Sequence, residues 1–275
     1  VAVQRGARRD GRSVAAGHLA FALYAPGVAV FTAGLALDIS PLMLIGAASL
    51  GTGLLIFIVN LGATLLRATA RDLTWWALLG ADLFLLVTLI LGLALAANRQ
   101  WGVLAAARPV ALGTHLHVAL FGWILLVIVG VVHRLLPMFL LSHGAGDRFA
   151  RAAVGLLAAG AAMLAVGHHG PALISRWLPA LLFGGGLVAL LLQARAFYRH
   201  RHRPALDPGM RSAGLALGVL AFVFAIVSIL ASRLLAPRLM TPAKEAPYEC
   251  GIVPSREPPE RVVRRHSSAS RERVV

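Results

Sequence analysis

The feature that most constrains this chain is a series of apolar blocks, each long enough to cross a lipid bilayer. Seven can be counted, at roughly 14–36, 41–66, 73–97, 109–137, 151–167, 172–194 and 212–236. Each has about 17–28 residues, near the length that a hydrocarbon core about 30 Å thick requires of a helix. Inside lipid every backbone N–H and C=O must be satisfied within the segment, which a helix does by itself. The sequence therefore predicts an all-α fold, a polytopic transmembrane helix bundle of about seven spans with a disordered basic C-terminal tail. The fifth block is the shortest of the seven. Hydrophobic residues make up 59% of the 275 and charged residues only 13%, against about 25% charged in soluble domains. A soluble enzyme, a disordered chain and a secreted disulfide scaffold are excluded. The single cysteine, Cys250, has no second thiol for an internal disulfide. The first apolar run is long and further spans follow it, so no cleaved signal peptide is expected.

The formal net charge of +15 would suit nucleic acid if the arginines formed one surface. They lie instead between the apolar spans, so no nucleic-acid partner is expected and the charge reads as a topology signal. With the N-terminus inside, the cytoplasmic segments hold Arg5, Arg8, Arg9, Arg12, Arg67, Arg71, Arg148, Arg151, Arg195, Arg199, Arg201, Arg203 and Arg211. The outside loops hold Arg99, Arg108 and Arg176, a bias of thirteen to three. The expected arrangement is N-inside for the first six spans, with membrane lipid as a partner. A second shift in composition lies near the end. All five glutamates and the only lysine, Lys244, follow residue 240. This divides the chain into a six-span bundle over 1–211, a membrane helix plus loop over 212–261, and the basic tail over 262–275.

The fourth span carries the most pointed chemistry. It reads Thr114-His115-Leu116-His117-Val118-Ala119-Leu120-Phe121-Gly122-Trp123, then Gly130 and His133-Arg134-Leu135-Leu136-Pro137-Met138-Phe139. Ionisable side chains within a span are expensive and mark function or a partner. Residues two apart on an α-helix differ by about 200° in direction, so His115 and His117 point to nearly opposite sides and cannot chelate one ion. They suit either hydrogen bonds to neighbouring helices or one axial ligand to each of two flanking haems. His133 lies about 27 Å further along the same face. Asp82 and Arg134 both fall toward the inside, where an ion pair is expected, with a proton relay through Asp82, His133 and Arg134 as the other reading. Asn60 suits an interhelical hydrogen bond, and the Gly184-Gly185-Gly186 run suits close helix packing.

These residues resemble the HxH helix of haem-copper oxidase subunit I and its shorter membrane relatives, a resemblance that extends through span spacing over about 14–220. It implies that His115 and His117 bind haem iron, with haem b as cofactor. No copper centre is expected, because no histidine other than His18 precedes the pair. For a second axial ligand, His168 and His169 in Gly167-His168-His169-Gly170-Pro171 match the pair in depth, whereas His18 begins the first span on the other side. A polar turn is the alternative reading of His168 and His169.

The last span and tail read Ile226-Val227-Ser228-Ile229-Leu230, then Arg233-Leu234-Leu235-Ala236-Pro237, then Lys244-Glu245-Ala246-Pro247-Tyr248-Glu249-Cys250-Gly251-Ile252-Val253-Pro254 and Arg261. The prolines preclude a helix. Over about 220–261 this string resembles the first helix and following loop of the chain 3 family of NADH-quinone oxidoreductase. The resemblance implies that Glu249, Cys250 and Gly251 occupy a cytoplasmic loop near the quinone region, with quinone and other respiratory complex subunits as partners. It stops after Arg261, where that family continues into a second membrane helix and this chain turns polar and basic.

Both resemblances lie in the quinone-linked respiratory chain. Together they imply a multi-pass protein of a bacterial-type inner membrane linked to quinone-coupled electron transfer, at most one component of a respiratory oxidoreductase. A non-catalytic fused or frameshifted product is one alternative, and a membrane transporter is the other.

Overall fold

The structure, a computed structural model, describes residues 2–102, 108–166, 177–202 and 205–235. Among these residues it is all-helical apart from one isolated β-bridge between Ser142 and Arg201. The helices are α1 (Ala2–Ala36), α2 (Ser40–Leu66), α3 (Leu73–Trp101), α4 (Arg108–His117), a π-helix (Val118–Leu125), α5 (Leu126–Leu140), α6 (Arg148–Val166), α7 (Leu178–Arg199) and α8 (Pro208–Leu235). Because α4, the π-helix and α5 follow without a break, they form one span, Val110–Leu140. Among the described residues seven segments are then long and apolar enough to cross a membrane, in the places the apolar blocks indicated. Large apolar side chains lie on the outside of the bundle, Phe21 being 70% and Phe222 66% exposed. Such a surface is stable against lipid, not against water. The chain is a multi-pass membrane protein.

Between lipid-facing helices the hydrophobic effect supplies little, so close contact and hydrogen bonds hold the spans together. The α1–α2 hairpin depends on glycine. A Cβ on Gly46 would stand 2.2 Å from the Phe31 nitrogen, and one on Gly34 2.3 Å from the Met43 nitrogen. The two backbones thus run against each other with no room for a side chain. At the turn Asp38 takes a left-handed conformation, with φ of 57°, and its carboxylate pairs with Arg99 in the last turn of α3. Ser49 of α2 adds a hydrogen bond to the Leu23 carbonyl of α1 at 2.8 Å.

The turn into α3 is fastened twice. Asp72 caps the helix by accepting the Trp75 backbone N–H at 2.9 Å, which satisfies one of the donors every helix start leaves open. The Trp75 indole N–H donates to the Leu65 carbonyl at 2.7 Å, back on α2.

The fourth span is the centre of the molecule. Phe121, Leu125, Leu126 and Val129 are buried within it, against Leu157 and Ala161 of α6, Phe183 and Leu190 of α7 and Phe224 of α8. Gly130 lets α3 close in, and Thr74 of α3 donates to its carbonyl at 3.1 Å. Of the glycine run in α7, Gly186 is the one at a tight contact, 2.7 Å from Leu157, while Gly184 faces open space. The compact unit runs from Val1 to Pro237, so the seventh span packs as part of the bundle.

Candidate functional site

The two histidines end α4, where the α-helical turn separates their side chains widely. His115 turns to α3. Its Nδ1 lies 3.1 Å from the Thr88 carbonyl oxygen, and the ring rests on Gly92, where a Cβ would come within 3.0 Å of Cε1. His117 turns the other way. Its Nδ1 lies 2.8 Å from the Gly113 carbonyl, and its ring is stacked at 9° to Phe121, centroids 6.3 Å apart. Phe121 in turn stacks on Phe183 of α7 at 4.0 Å and meets Phe224 of α8 edge-on at 5.5 Å.

A carbonyl oxygen only accepts, so in the neutral form each imidazole carries its proton on Nδ1, which makes Nε2 the acceptor nitrogen of the ring. In His115 the ring edge formed by Nδ1, Cε1 and Nε2 faces Gly92, with Nε2 at 3.9 Å from a Cβ placed there. The sequence predicted two imidazoles on opposite sides of one span, and that is the geometry found. The sequence did not reveal what frames them: Thr88 and Gly92 on one side, the Phe121–Phe183–Phe224 cluster on the other.

Immediately after His117 the span becomes π-helical for eight residues. Short π-helical stretches are rare and concentrate at functional positions. The wider turns advance less per residue, so they rotate everything downstream. His133 accordingly does not continue the face of His115, as uninterrupted α-helical geometry predicted. It packs edge-on against Phe197 of α7, centroids 6.0 Å apart.

The expected Asp82–Arg134 pair is also corrected. Arg134, in the C-terminal half of α5, pairs with Asp72 at the N-terminus of α3 at 3.5 Å. Asp82 is ten residues beyond Asp72, about 15 Å deeper, and is only 5% exposed. Its Oδ2 faces Gly62 of α2, and its Oδ1 is buried without a hydrogen-bond partner among the described residues. A polar residue that the sequence motifs did not single out is Gln193, which is fully buried. Its amide oxygen accepts the Ala150 N–H at 3.1 Å, and its nitrogen donates to the Gly146 carbonyl at 2.9 Å. It thereby fastens the start of α6 to α7.

His18 is exposed on α1. His168 and His169, Glu249, Cys250 and Gly251, and the tail over 262–275 lie outside the described residues. No group of three or more His, Cys, Asp or Glu side chains is arranged to hold a metal ion among the described residues. Comparisons with protein-family models, with curated proteins and with solved structures gave no match to this chain.

Proposed function

We propose that this chain is a respiratory-chain inner-membrane protein linked to quinone-coupled electron transfer, with His115 and His117 as ligands to haem b. The observation that carries the reading is the pair itself. Two imidazoles stand on opposite sides of the central span, each with Nδ1 held by a backbone carbonyl. The donor chemistry fits the group: a neutral imidazole with its proton held on Nδ1 offers Nε2 to a metal in a fixed orientation. Thr88 and Gly92 orient His115, and Phe121 orients His117. When bound, haem b supplies a one-electron carrier, and the surrounding apolar side chains exclude water from it. In this reading His168 or His169 completes the coordination, quinone and other respiratory proteins are partners, and Glu249, Cys250 and Gly251 form the quinone-region loop. The arginine bias supports a cytoplasmic N-terminus.

The test is the absorbance spectrum of the purified, detergent-solubilised protein. The expected result is a Soret band, with haem content reduced by at least half in each of His115→Ala and His117→Ala while the protein still elutes as a folded species. A wild-type protein expressed with ample haem and showing no Soret band removes the reading.

A further inference from the structure

The chain leaves the membrane spans after Leu140 and again after Arg199, and the two short segments that follow meet in water. An isolated antiparallel β-bridge between Ser142 and Arg201 fastens one to the other. The next residue on each side is a histidine, His143 after α5 and His202 after α7. Both are exposed, and their rings meet with centroids 5.4 Å apart at an angle of 67°. The two rings also converge on one atom. His143 Nδ1 lies 3.0 Å from the carbonyl oxygen of Leu141, and His202 Nδ1 lies 2.9 Å from the same oxygen. Leu141 ends α5 in a left-handed conformation, with φ of 49° and ψ of 42°. Leucine rarely adopts that conformation, and such strained residues cluster at ligand clamps.

With neutral rings, each Nδ1–H donates to the Leu141 carbonyl, whose two lone pairs can accept both. The same three atoms also have the spacing of neighbouring ligands on a metal, because bonds of about 2.1 Å at right angles put adjacent donors about 3 Å apart. The chemistry of the set selects the ion. Its donors are two imidazole nitrogens and one main-chain oxygen, with no carboxylate among them. Asp147 pairs with Arg151 at 3.1 Å, and Asp207 accepts the Met210 N–H at 2.8 Å. The Arg201 guanidinium is held on the Tyr198 carbonyl at 2.7 Å. Magnesium and calcium require several oxygen ligands and are disfavoured. Imidazole nitrogen combined with oxygen suits the tetragonal divalent ions of nickel and copper.

We propose that His143 Nδ1, His202 Nδ1 and the Leu141 carbonyl oxygen bind a divalent transition metal of the nickel and copper type, with water in its remaining positions. On binding, the proton of each ring passes from Nδ1 to Nε2 by exchange with water, so no net proton is released. A rotation of each exposed ring then swings the Nδ1 lone pair from the carbonyl oxygen onto the ion beside it. The ion locks the α5–α6 loop onto the α7–α8 loop. The site depends neither on haem nor on the function proposed above.

The probe is Ni²⁺, titrated calorimetrically into the full-length protein in detergent, purified without a histidine tag. The expected result is a saturable site that Mg²⁺ at the same concentration does not fill, and a thermal unfolding midpoint raised by Ni²⁺. His143→Gln and His202→Gln should each weaken that site by at least about tenfold, since losing a ligand costs no less than the 10–100-fold typical of an outer-shell partner. The double variant should bind about as weakly as either single one, because one imidazole does not chelate. His200→Gln should bind as the wild type does, since that ring turns back to the Ala196 carbonyl. All three side chains are exposed, and the unfolding transition without metal verifies that each variant is folded. An isotherm unchanged in the double variant overturns the proposal. So does loss in only one of the two single variants, an equal loss in His200→Gln, equal filling by Mg²⁺, or no saturable Ni²⁺ binding in the wild type.

Discussion

His115 and His117 are the same residue two positions apart, yet their surroundings share nothing. One ring sits on the bare backbone of α3 at Gly92, and the other stacks on Phe121 in an aromatic cluster. Their divergence was legible in the sequence, because a two-residue step on a helix sets the angle whatever the surroundings. Thr88 and Gly92 were not, because which face of α3 meets α4 is decided by helix register. Gln193 did leave a signal, as the single polar side chain after Leu190-Leu191-Leu192 in a membrane span. Replacing it with leucine strands the Ala150 N–H and the Gly146 carbonyl. Gln193→Leu should therefore lower stability by about 1–3 kcal/mol, read as a lower midpoint in thermal unfolding in detergent. An unchanged midpoint would mean that the amide does not fasten α6 to α7.

The α1–α2 hairpin and the fourth span are the elements whose backbones carry the most information. In the hairpin the backbones meet at Gly34 and Gly46, so a single methyl group has nowhere to go. Gly46→Ala should destabilise the protein by about 1–3 kcal/mol through overpacking. Gly17→Ala, on the same pair of helices but with open space around it, should be neutral or slightly stabilising, because alanine favours the helix. Equal effects from the two substitutions would show that close approach is not what the glycines provide. At the start of α3, Asp72→Ala should lower the same unfolding midpoint by an amount equivalent to about 1 kcal/mol, the loss of a helix cap. In the fourth span the sequence predicted one uninterrupted α-helix. Within the π-helix Gly122 meets Phe84 of α3 and Ala161 of α6 while Phe121 stacks on Phe183 of α7, and no local residue preference announces its wider turns.

At the scale of the whole molecule, the arginine distribution makes a claim about sidedness that a reporter fusion tests. A fluorescent protein joined after Arg71 should fold and fluoresce on the cytoplasmic side, and alkaline phosphatase joined after Gly102 should be active outside. The reverse pattern would invert the proposed orientation. The number and placement of the spans were determined by the sequence alone, because a bilayer imposes length and apolarity on each segment independently of the others. The opposed directions of the two histidines were likewise determined, by the geometry of one helix. What only the tertiary structure decided is what meets what. Arg134 pairs with Asp72 and not Asp82, and His133 turns to Phe197. Those outcomes depend on helix register and on the rotation introduced by the π-helix, which arise from packing between segments far apart in the chain.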